Sequence, residues 1–534
     1  MKLRVWLEEN INSDHCAMLD QANQPVTGFS ELRRYLIECP QELQNAQLYA
    51  DDACLQKISG YWIWHPNFYA GEVDLELVLD DRGTTVSWRV DVSNDPLKSG
   101  KEAWQQFLQD IIAFDSLRIA GSEPAQHQLG GMSRYAGVWL RYARIKQFFP
   151  RYEQGLNAVL HHPVYGYQQQ TKQYPLGRLK QITPSVVQQL VRYADLLTGS
   201  SAESRCSDND INQLQVRATH SDITWDTPAN RQLKYQLQLI DRRVTQVLTT
   251  LKNIQKANVK EISDTRTNIN DRLERRIDYL IAAKKQLRYT VEQMPFFAAD
   301  PKQSNGLDFD AIAGHPHYQL TWRMGVRLLR EGISGLSRDE NHYLIPSWDV
   351  YEAWCFVALA EGLKRKLPDI KWKLSQYAGR LTFRAKHNGQ SIKLHSQKSF
   401  PALLKRRSIN DDMPHSISSM RRPDLILEIT TSGTTQFICL DSKYTSRGKR
   451  ILEDMASAHI YHDSLRLQQK RPVLSLLLVP RNQELERLEC ESWWQQHQTG
   501  CFTLNNSESA SVLLDRLWKY LIPDNVHSLA TLAS

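Results

Sequence analysis

The chain has 534 residues, more than one hydrophobic core usually supports, because single cores stop growing near about 250–300 residues. Two or three domains are therefore expected. Hydrophobic residues make up 41% and charged residues 23%, which is ordinary for a globular protein and excludes a disordered chain. The net charge of +7 is mild over this length and favours an anionic partner only slightly.

The cysteines and the apolar residues restrict the compartment. Eight cysteines are scattered without a CxxC pair, which excludes a zinc ribbon and a thioredoxin-like site. The first residues lack the apolar stretch of a signal peptide, and nowhere do about 18 apolar residues follow one another. The sequence therefore predicts a soluble cytoplasmic protein that does not enter a membrane.

Residues 1–225 are predicted to form a mixed, β-rich N-terminal domain. Residues 73–79 and 84–90 alternate apolar and polar side chains around a glycine turn, which is typical of a hairpin with one buried face. A helix is predicted from Val138 to Phe149, ending before Pro150 because proline cannot donate the next helical hydrogen bond. The region shows no catalytic constellation, and its candidate role is recognition of a partner or of DNA.

Residues 226–295 are predicted to form a long antiparallel helical hairpin. Thr227 suits a helix cap, and Pro228 suits the first turn because the missing N–H would have no partner there. Apolar residues then recur at three- and four-residue steps in two segments joined around residues 256–264. The basic charges of the hairpin favour a solvated outer face, while a DNA-contacting arm and a partner-docking stalk remain alternatives.

Residues 300–534 are predicted to form the third domain, an α/β domain whose core elements follow the order αβββαβ. An apolar helix over 348–366 precedes a hairpin, strands over 424–429 and 436–444, a helix, and the buried strand 473–479. The crossover helix makes the last strand parallel to the one before it, as βαβ units require. The chain as a whole is predicted to be an α/β, multi-domain α+β protein.

Polar residues interrupt two neighbouring strands of this core. Asp441 and Lys443 end an otherwise apolar strand, and residues i and i+2 of a strand point to the same face. Asp424 on the adjacent strand can meet them across the sheet. Two carboxylates can hold Mg²⁺, which lowers the pKa of a bound water, and a lysine can orient or deprotonate that water or stabilise developing charge. The pattern predicts hydrolysis of a phosphodiester.

Glu352 lies among apolar neighbours on the preceding helix. Because an unpaired carboxylate is costly to bury, a metal, a bound water or Lys443 is expected as its partner. The string P-D…D-x-K is short and arises often by chance, so solvated turn carboxylates beside a surface lysine are the competing interpretation. The position of the string on two consecutive strands flanked by helices favours the catalytic interpretation.

These residues resemble the PD-(D/E)XK nuclease superfamily, in the form found in McrC-like restriction subunits and related defence nucleases. Three segments carry the resemblance: Val350–Phe356, Asp424 with Asp441-Ser442-Lys443, and Asp454–Asp463. Residues 226–231 are also similar to the region that precedes such nuclease modules.

The resemblance implies a role for each residue of the site. Asp424 and Asp441 would ligate Mg²⁺, with Mn²⁺ as the other candidate, and the backbone carbonyl of Ser442 would be a further ligand. Lys443 would serve the attacking water and the scissile phosphate. Glu352 would be an accessory carboxylate.

The resemblance also points to residues around the cleft. His459, Tyr461 and Asp463 are candidates to line it, and helix packing is the competing explanation for all three. The basic residues that could bind DNA phosphates are Lys405, Arg406, Arg407, Arg421 and Arg422. The alternative is that these basic side chains are simply solvated, as exposed loop residues often are.

McrC-like proteins work with an AAA+ GTPase or ATPase partner, and this sequence has no G-x-x-x-x-G-K-[ST] loop, so a motor must come from another polypeptide. The resemblance implies that the N-terminal part and the long helices are candidates to dock to such a ring. The leading interpretation is the Mg²⁺-dependent DNA endonuclease subunit of a McrBC-like restriction or antiphage defence system. A non-catalytic DNA-binding or scaffold subunit and a nuclease that cuts RNA are the alternatives.

Overall fold

A computed structural model describes the chain except for residues 12–15, 21–23, 80–84, 116–125, 134–136, 180–181, 193–214, 261–269, 302–308, 332, 378–379, 388, 404–412 and 522–534. The chain divides into two compact units. The first comprises Met1–Arg144, Leu251–Ile277 and Glu331–Ser534, and the second comprises Ile145–Thr250 and Asp278–Arg330.

Strands predominate before residue 100, helices predominate between residues 228 and 329, and the C-terminal part mixes both. The α-helices are α1 (Gly100–Asp115), α2 (Val138–His161), α3 (Pro184–Arg192), α4 (Pro228–Lys260), α5 (Asn270–Val291), α6 (Phe309–Ala313), α7 (Pro316–Leu329), α8 (Ser347–Lys366), α9 (Gly448–Ser464), α10 (Glu491–His497) and α11 (Ser507–Leu521). The strands are β1 (Leu3–Leu7), β2 (Ala17–Leu19), β3 (Val26–Ser30), β4 (Tyr35–Glu38), β5 (Gln47–Ala50), β6 (Ala53–Cys54), β7 (Gln56–Ile58), β8 (Tyr61–Trp64), β9 (Gly71–Val78), β10 (Thr85–Ser93), β11 (Gln126–Ser133), β12 (Gly166–Pro175), β13 (Gln215–Thr224), β14 (Ile333–Tyr343), β15 (Lys373–Tyr377), β16 (Arg380–His387), β17 (Gln390–Ser396), β18 (His415–Ser416), β19 (Leu425–Thr431), β20 (Thr434–Ser442), β21 (Leu465–Arg466), β22 (Leu474–Val479) and β23 (Thr499–Thr503). None of these helices, within the described residues, is long and apolar enough to cross a lipid bilayer.

Two sheets make up the N-terminal part of the first unit. One has the strand order β2-β1-β4-β8-β7, and the other has the order β14-β11-β9-β10-β3, with β5 also paired to β9. The antiparallel pairing of β9 with β10, in which Val73 faces Val90, confirms the predicted hairpin. Its apolar side chains are buried on one face, as the alternating pattern predicts.

Helix α1 covers helix α8 within the first unit. The rings of Phe107 and Trp354 lie 4.1 Å apart between their centroids. The indole N–H of Trp354 donates to Asp110 at 2.9 Å, which satisfies its one polar atom. Because α1 and the neighbouring sheet both cover α8, this helix is apolar on nearly all sides.

Seven strands form the sheet of the C-terminal part, in the order β15-β16-β17-β19-β20-β22-β23. Neighbours from β15 to β20 are antiparallel, whereas β22 runs parallel to β20 and β23 runs parallel to β22. Helix α9 crosses from β20 to β22, as a βαβ unit requires. The order α8, β17, β19, β20, α9, β22 confirms the predicted αβββαβ core, to which β15, β16 and β23 are added.

Both faces of this sheet are covered. Leu425 and Leu427 of β19 pack into the large core that includes α8, while Ile426 packs with Phe437 and Cys439 in a separate cluster on the opposite face. Strands buried on both faces are expected to be continuously apolar. The polar residues at their ends therefore stand out in the sequence.

In the second unit, a buried asparagine ties three segments together. The side-chain N–H groups of Asn230 donate to the carbonyls of Val164 and Trp225, and its Oδ1 accepts from the hydroxyl of Tyr318 at 2.6 Å. The hydroxyl of Thr227 accepts from the backbone N–H of Asn230 at 3.3 Å, which confirms the predicted helix cap.

The predicted end of a helix before Pro150 is wrong, since α2 runs through this proline to His161. An interior proline removes a helical hydrogen bond and costs about 3 kcal/mol. The buried side chains of Phe149, Tyr152 and Leu156 flank it. Their burial offsets that cost and keeps the helix continuous.

Candidate active site

Asp424, which immediately precedes β19, lies level with Asp441 of the neighbouring strand β20. In the antiparallel pair of β19 and β20, Leu425 faces Leu440, so the next pair outward is Asp424 and Asp441. Directly opposed residues of an antiparallel pair share a face, with Cβ atoms about 4.5–5.5 Å apart. The register thus brings together the two carboxylates that the sequence pattern singles out.

Hydrogen bonds hold each carboxylate through one oxygen. The Oδ2 of Asp424 accepts from the backbone N–H and the hydroxyl of Ser442, at 2.8 and 2.7 Å. The Oδ2 of Asp441 accepts from the hydroxyl of Ser457 at 2.7 Å. The Oδ1 atoms of both aspartates accept no hydrogen bond from a described side chain or backbone group. These two oxygens are therefore available to a further ligand.

Lys443 lies beside Asp441, as the spacing of two residues predicts. Its Nζ is 2.6 Å from Oδ2 of Asp441, whose side chain is 1% exposed. Burial lowers the pKa of Lys443, but the charges of Asp441 and Asp424 outweigh burial and raise it overall. The ammonium therefore stays protonated, so it can stabilise negative charge but cannot act as a base in this form.

Glu352 approaches the same cluster from α8. Its Oε1 accepts from the side-chain N–H of Gln397 at 2.9 Å, a partner that sequence reasoning missed. The backbone N–H of Gln397 also donates to the carbonyl of Asp424 at 2.7 Å. The register of β17 with β19, extended one position beyond the strands, would have placed Gln397 level with Asp424.

Burial, together with neighbouring carboxylates, raises the pKa of two carboxyl groups in the cluster. Burial is the largest cause that raises the pKa of Glu352 to about 7, and the charges of Asp349 and Asp441 add to it against the hydrogen bond from Gln397. Burial, followed by the charges of Glu352 and Asp441, raises the pKa of Asp424 well above its ordinary range. Carboxylates in this situation take up protons or bind a cation. The cluster is therefore arranged either to hold a proton or to bind a cation.

A cavity of about 930 Å³ opens at this cluster. Its volume lies within the range of ligand pockets, about 300–1,000 Å³. Among its lining residues are Glu352, Asp424, Ser442, Lys443, Arg450 and Asp454. Asp441 is buried and does not itself line the cavity. Glu352, Asp424, Ser442 and Lys443 therefore border a space that can admit a phosphodiester.

The N-terminal part of the first unit supplies a wall of this cavity, which sequence reasoning also missed. Lys98 lines the cavity, and its Nζ lies 3.2 Å from Glu31 and 4.5 Å from the ring centroid of Tyr444. The hydroxyls of Tyr444 and Ser99 are 2.7 Å apart, although 345 positions separate them in the chain. Local spacing carries no signal for such a distant contact.

The basic residues predicted to bind DNA either do not line the cavity or lie outside the described residues. Arg421 has a buried Nε without a hydrogen-bond partner among the described residues, and Arg422 is exposed. Neither arginine lines the cavity. Lys405, Arg406 and Arg407 lie outside the described residues.

The structure does not bring the three candidates on α9 into the cavity. Tyr461 packs against the apolar cluster that contains Phe400 and Ile426. Burial, followed by the charges of nearby aspartates, raises its pKa. His459 and Asp463 are exposed, and Asp463 lies 3.6 Å from Arg471. For these residues, packing and solvation account for the positions.

The predicted metal ligands can be tested against the observed donors. Within the described residues, no three His, Cys, Asp or Glu side chains are grouped as a metal site. The predicted set needs only the carboxylates of Asp424 and Asp441 and the carbonyl of Ser442, because Mg²⁺ keeps several of its waters. The two free Oδ1 atoms and the raised pKa of Asp424 fit a hard divalent cation.

Comparison with known families agrees with this geometry. Residues 349–479 match the PD-(D/E)XK nuclease superfamily, and residues 65–285 match DUF2357, a domain of unknown function. The C-terminal part is accordingly a nuclease domain of restriction-endonuclease-like fold. The match supports the superfamily, and with it nuclease activity in general. No curated protein matches the chain.

Proposed function

We propose that the protein is a metal-dependent endonuclease that hydrolyses DNA, as the nuclease subunit of a McrBC-like restriction or antiphage defence system. The observation that carries the nuclease proposal is the convergence of Asp424, Asp441 and Lys443 beside a cavity of about 930 Å³. The family match over residues 349–479 supports it. The defence role and the AAA+ GTPase or ATPase partner rest on the resemblance of the sequence to McrC-like subunits.

Each side chain has a distinct task in this proposal. Asp424, Asp441 and the carbonyl of Ser442 hold Mg²⁺ or Mn²⁺, which supplies Lewis-acid activation of the phosphate and of water. Lys443 stays charged and stabilises the negative charge that develops on the phosphate oxygens. Glu352, with a pKa of about 7, can take up a proton at neutral pH.

Two further residues keep these groups in place. Ser457 donates to Asp441 from α9, and Gln397 donates to Glu352 from the end of β17. Each hydrogen bond engages one carboxylate oxygen and fixes the direction of the other. Their removal should weaken metal binding without removing a reacting group.

The phosphate backbone of the substrate is proposed to run past two arginine side chains at the mouth of the cavity. Arg447 and Arg450 line the cavity and are exposed. Arginine side chains bind phosphates in a bidentate manner. The proposed outer contacts to DNA are Arg421, Arg422, Lys405, Arg406 and Arg407.

The decisive experiment compares Asp441→Ala with the wild type on plasmid DNA. We expect wild-type cleavage with Mg²⁺, none with EDTA, and a loss on the order of 10³-fold in Asp441→Ala with DNA binding retained. Asp463→Ala is a matched control, since this aspartate is exposed on α9 and lies outside the cavity. Metal-dependent cutting by Asp441→Ala at the wild-type rate would contradict the assignment.

Two further comparisons test the finer parts of the proposal. Matched DNA and RNA duplexes should be cut at different rates, with DNA preferred. Adding an AAA+ GTPase encoded next to this chain should stimulate cleavage in the presence of its nucleotide. Equal cleavage with and without that protein, and no complex on gel filtration, would remove the McrBC-like assignment but leave the nuclease.

A further inference from the structure

A second, smaller cavity adjoins the catalytic cavity. Its volume is about 220 Å³, and Asp349 and Glu352 line both cavities. Most of its other walls are apolar and include Ala353, Phe356, Val357, Leu381 and Leu425. A group bound at the catalytic carboxylates therefore has a partly apolar compartment directly beside it.

The size and the walls of this cavity restrict its occupant. Pockets for drug-sized ligands span about 300–1,000 Å³, so this one fits a smaller group. The two carboxylates disfavour a phosphate by charge repulsion, and the apolar side chains offer a sugar few hydrogen-bond partners. In a nucleic-acid strand, the parts with apolar faces are the bases, and these bind well against apolar and aromatic side chains.

Polar groups at one side of the cavity match the edge of a base. Gln397 donates its N–H to Glu352, and its side-chain carbonyl accepts no hydrogen bond from a described residue. The hydroxyl oxygen of Ser396 accepts from the backbone N–H of Leu381 at 2.8 Å, so its proton remains free to be donated. The cavity therefore offers one acceptor and one donor, and base edges carry both complements.

The backbone at this wall is strained. Gln397 has a φ of 49°, in the left-handed region that residues other than glycine seldom adopt. Such strain persists where the surrounding structure imposes it, and it is frequent at ligand sites. Here it accompanies a side chain that reaches Glu352 and borders the smaller cavity.

We propose that the smaller cavity is a base pocket, which receives one unpaired nucleobase of the substrate next to the scissile phosphate. The proposal rests on the proposed nuclease function, because the phosphodiester must occupy the adjoining catalytic cavity. A base within a duplex has to leave the stack to enter, which costs least at mismatched, damaged or single-stranded positions. The protein therefore prefers to cut beside an unpaired base.

The test uses a series of oligonucleotides in which one nucleotide at a time is abasic. Base contacts with aromatic and apolar side chains contribute about 1–3 kcal/mol each, so we expect kcat/KM to fall roughly tenfold at one position near the cut. The other abasic positions should be cut like the intact oligonucleotide. Equal cleavage at every position by the wild type overturns the base pocket.

One substitution in the pocket wall and one outside both cavities supply a matched pair of variants. Ala353→Leu fills the pocket and should cut the intact oligonucleotide as slowly as the wild type cuts the critical abasic one. Val512→Leu enlarges an exposed side chain of α11 that lines neither cavity, and it should keep the wild-type difference. A folded Ala353→Leu protein, checked by its melting temperature, that still distinguishes the two oligonucleotides overturns the proposal.

A fluorescence measurement on the wild type keeps the proposal testable if Ala353→Leu does not fold. With 2-aminopurine at the critical position and EDTA present, binding should increase its fluorescence as the base leaves the stack, and an unchanged signal counts against the pocket. A wild type that cuts DNA without distinguishing abasic positions refutes only the pocket. A wild type that cuts no DNA with Mg²⁺ or Mn²⁺ refutes the nuclease function itself and the pocket with it.

Discussion

Glu428→Gln should destabilise the protein through a buried ion cluster on β19. Glu428 is 3% exposed and forms ion pairs with Lys398 and His395. The Nε2 atom of His395 lies 3.2 Å from Oε2 of Glu428, but it is not aligned for a hydrogen bond. Burial by itself would raise the pKa of Glu428, but the contacts with His395 and Lys398 outweigh it and lower the pKa to about 2. The charged form of the carboxylate is therefore strongly favoured in the folded protein.

The size and the pH dependence follow from this shift. A pKa lowered from 4.5 to about 2 corresponds to roughly 3 kcal/mol of folding free energy at pH 7. Because the folded pKa lies below the unfolded one, this stabilisation is complete above about pH 4.5 and is lost as the pH falls towards about 2. Glutamine has no charge to lose, so the two proteins should converge in acid.

Urea unfolding at a series of pH values measures both quantities. Glu428→Gln should lower the free energy of unfolding by roughly 3 kcal/mol at pH 7, and the difference should shrink below about pH 4.5. Glu361→Gln is the control, since Glu361 pairs with Lys364 on the surface with its side chain 45% exposed, and such pairs contribute about 0–1 kcal/mol. A loss at pH 7 no larger than that of the control would refute the reasoning.

Three further predictions concern the site and the core. At low Mg²⁺, wild-type cleavage should rise with pH around 7, and Glu352→Gln should flatten this profile. Added Mg²⁺ should move the midpoint to a lower pH because the metal and protons compete for the same carboxylates. A midpoint that does not move would contradict this prediction. Gly500→Ala should lower the melting temperature, since an added Cβ would lie 2.6 Å from a backbone carbonyl oxygen. Gly448→Ala is the control, because an added Cβ there would contact only the side chain of Glu484. Equal melting temperatures for the two variants would count against this reasoning. Arg276→Met should cost about 3–5 kcal/mol in urea unfolding, because two buried aspartates lose a fully buried cation that pairs with both. A neutral result would show that the cluster does not stabilise the fold.

The C-terminal core could be predicted from the sequence because its signals are local. Continuous apolar runs identify buried strands, and the spacing of Asp441 and Lys443 by two residues predicts that they share a face. The antiparallel register then follows from the short turn before β20, which places Asp424 opposite Asp441. Each of these inferences needs only a few neighbouring residues.

The rest of the site could not be predicted because its contacts join distant parts of the chain. Lys98 reads as an ordinary polar residue of a loop, and only folding places it over Tyr444. Gln397 lies just beyond a strand, where a left-handed backbone conformation is not visible in the residue type. The continuation of α2 through Pro150 likewise depends on tertiary burial, which outweighs the local preference of proline.

The contacts of Tyr444 have a consequence for how this protein can be shortened or recombined. Asn94 and Ser99 hold its hydroxyl, Glu31 accepts from Ser347 at the start of α8, and α1 shields the indole of Trp354. A fragment that begins near residue 300 would expose these surfaces to water and lose one side of its own cleft. The first 144 residues and the nuclease domain are therefore expected to fold in one polypeptide and to lose stability when they are expressed apart.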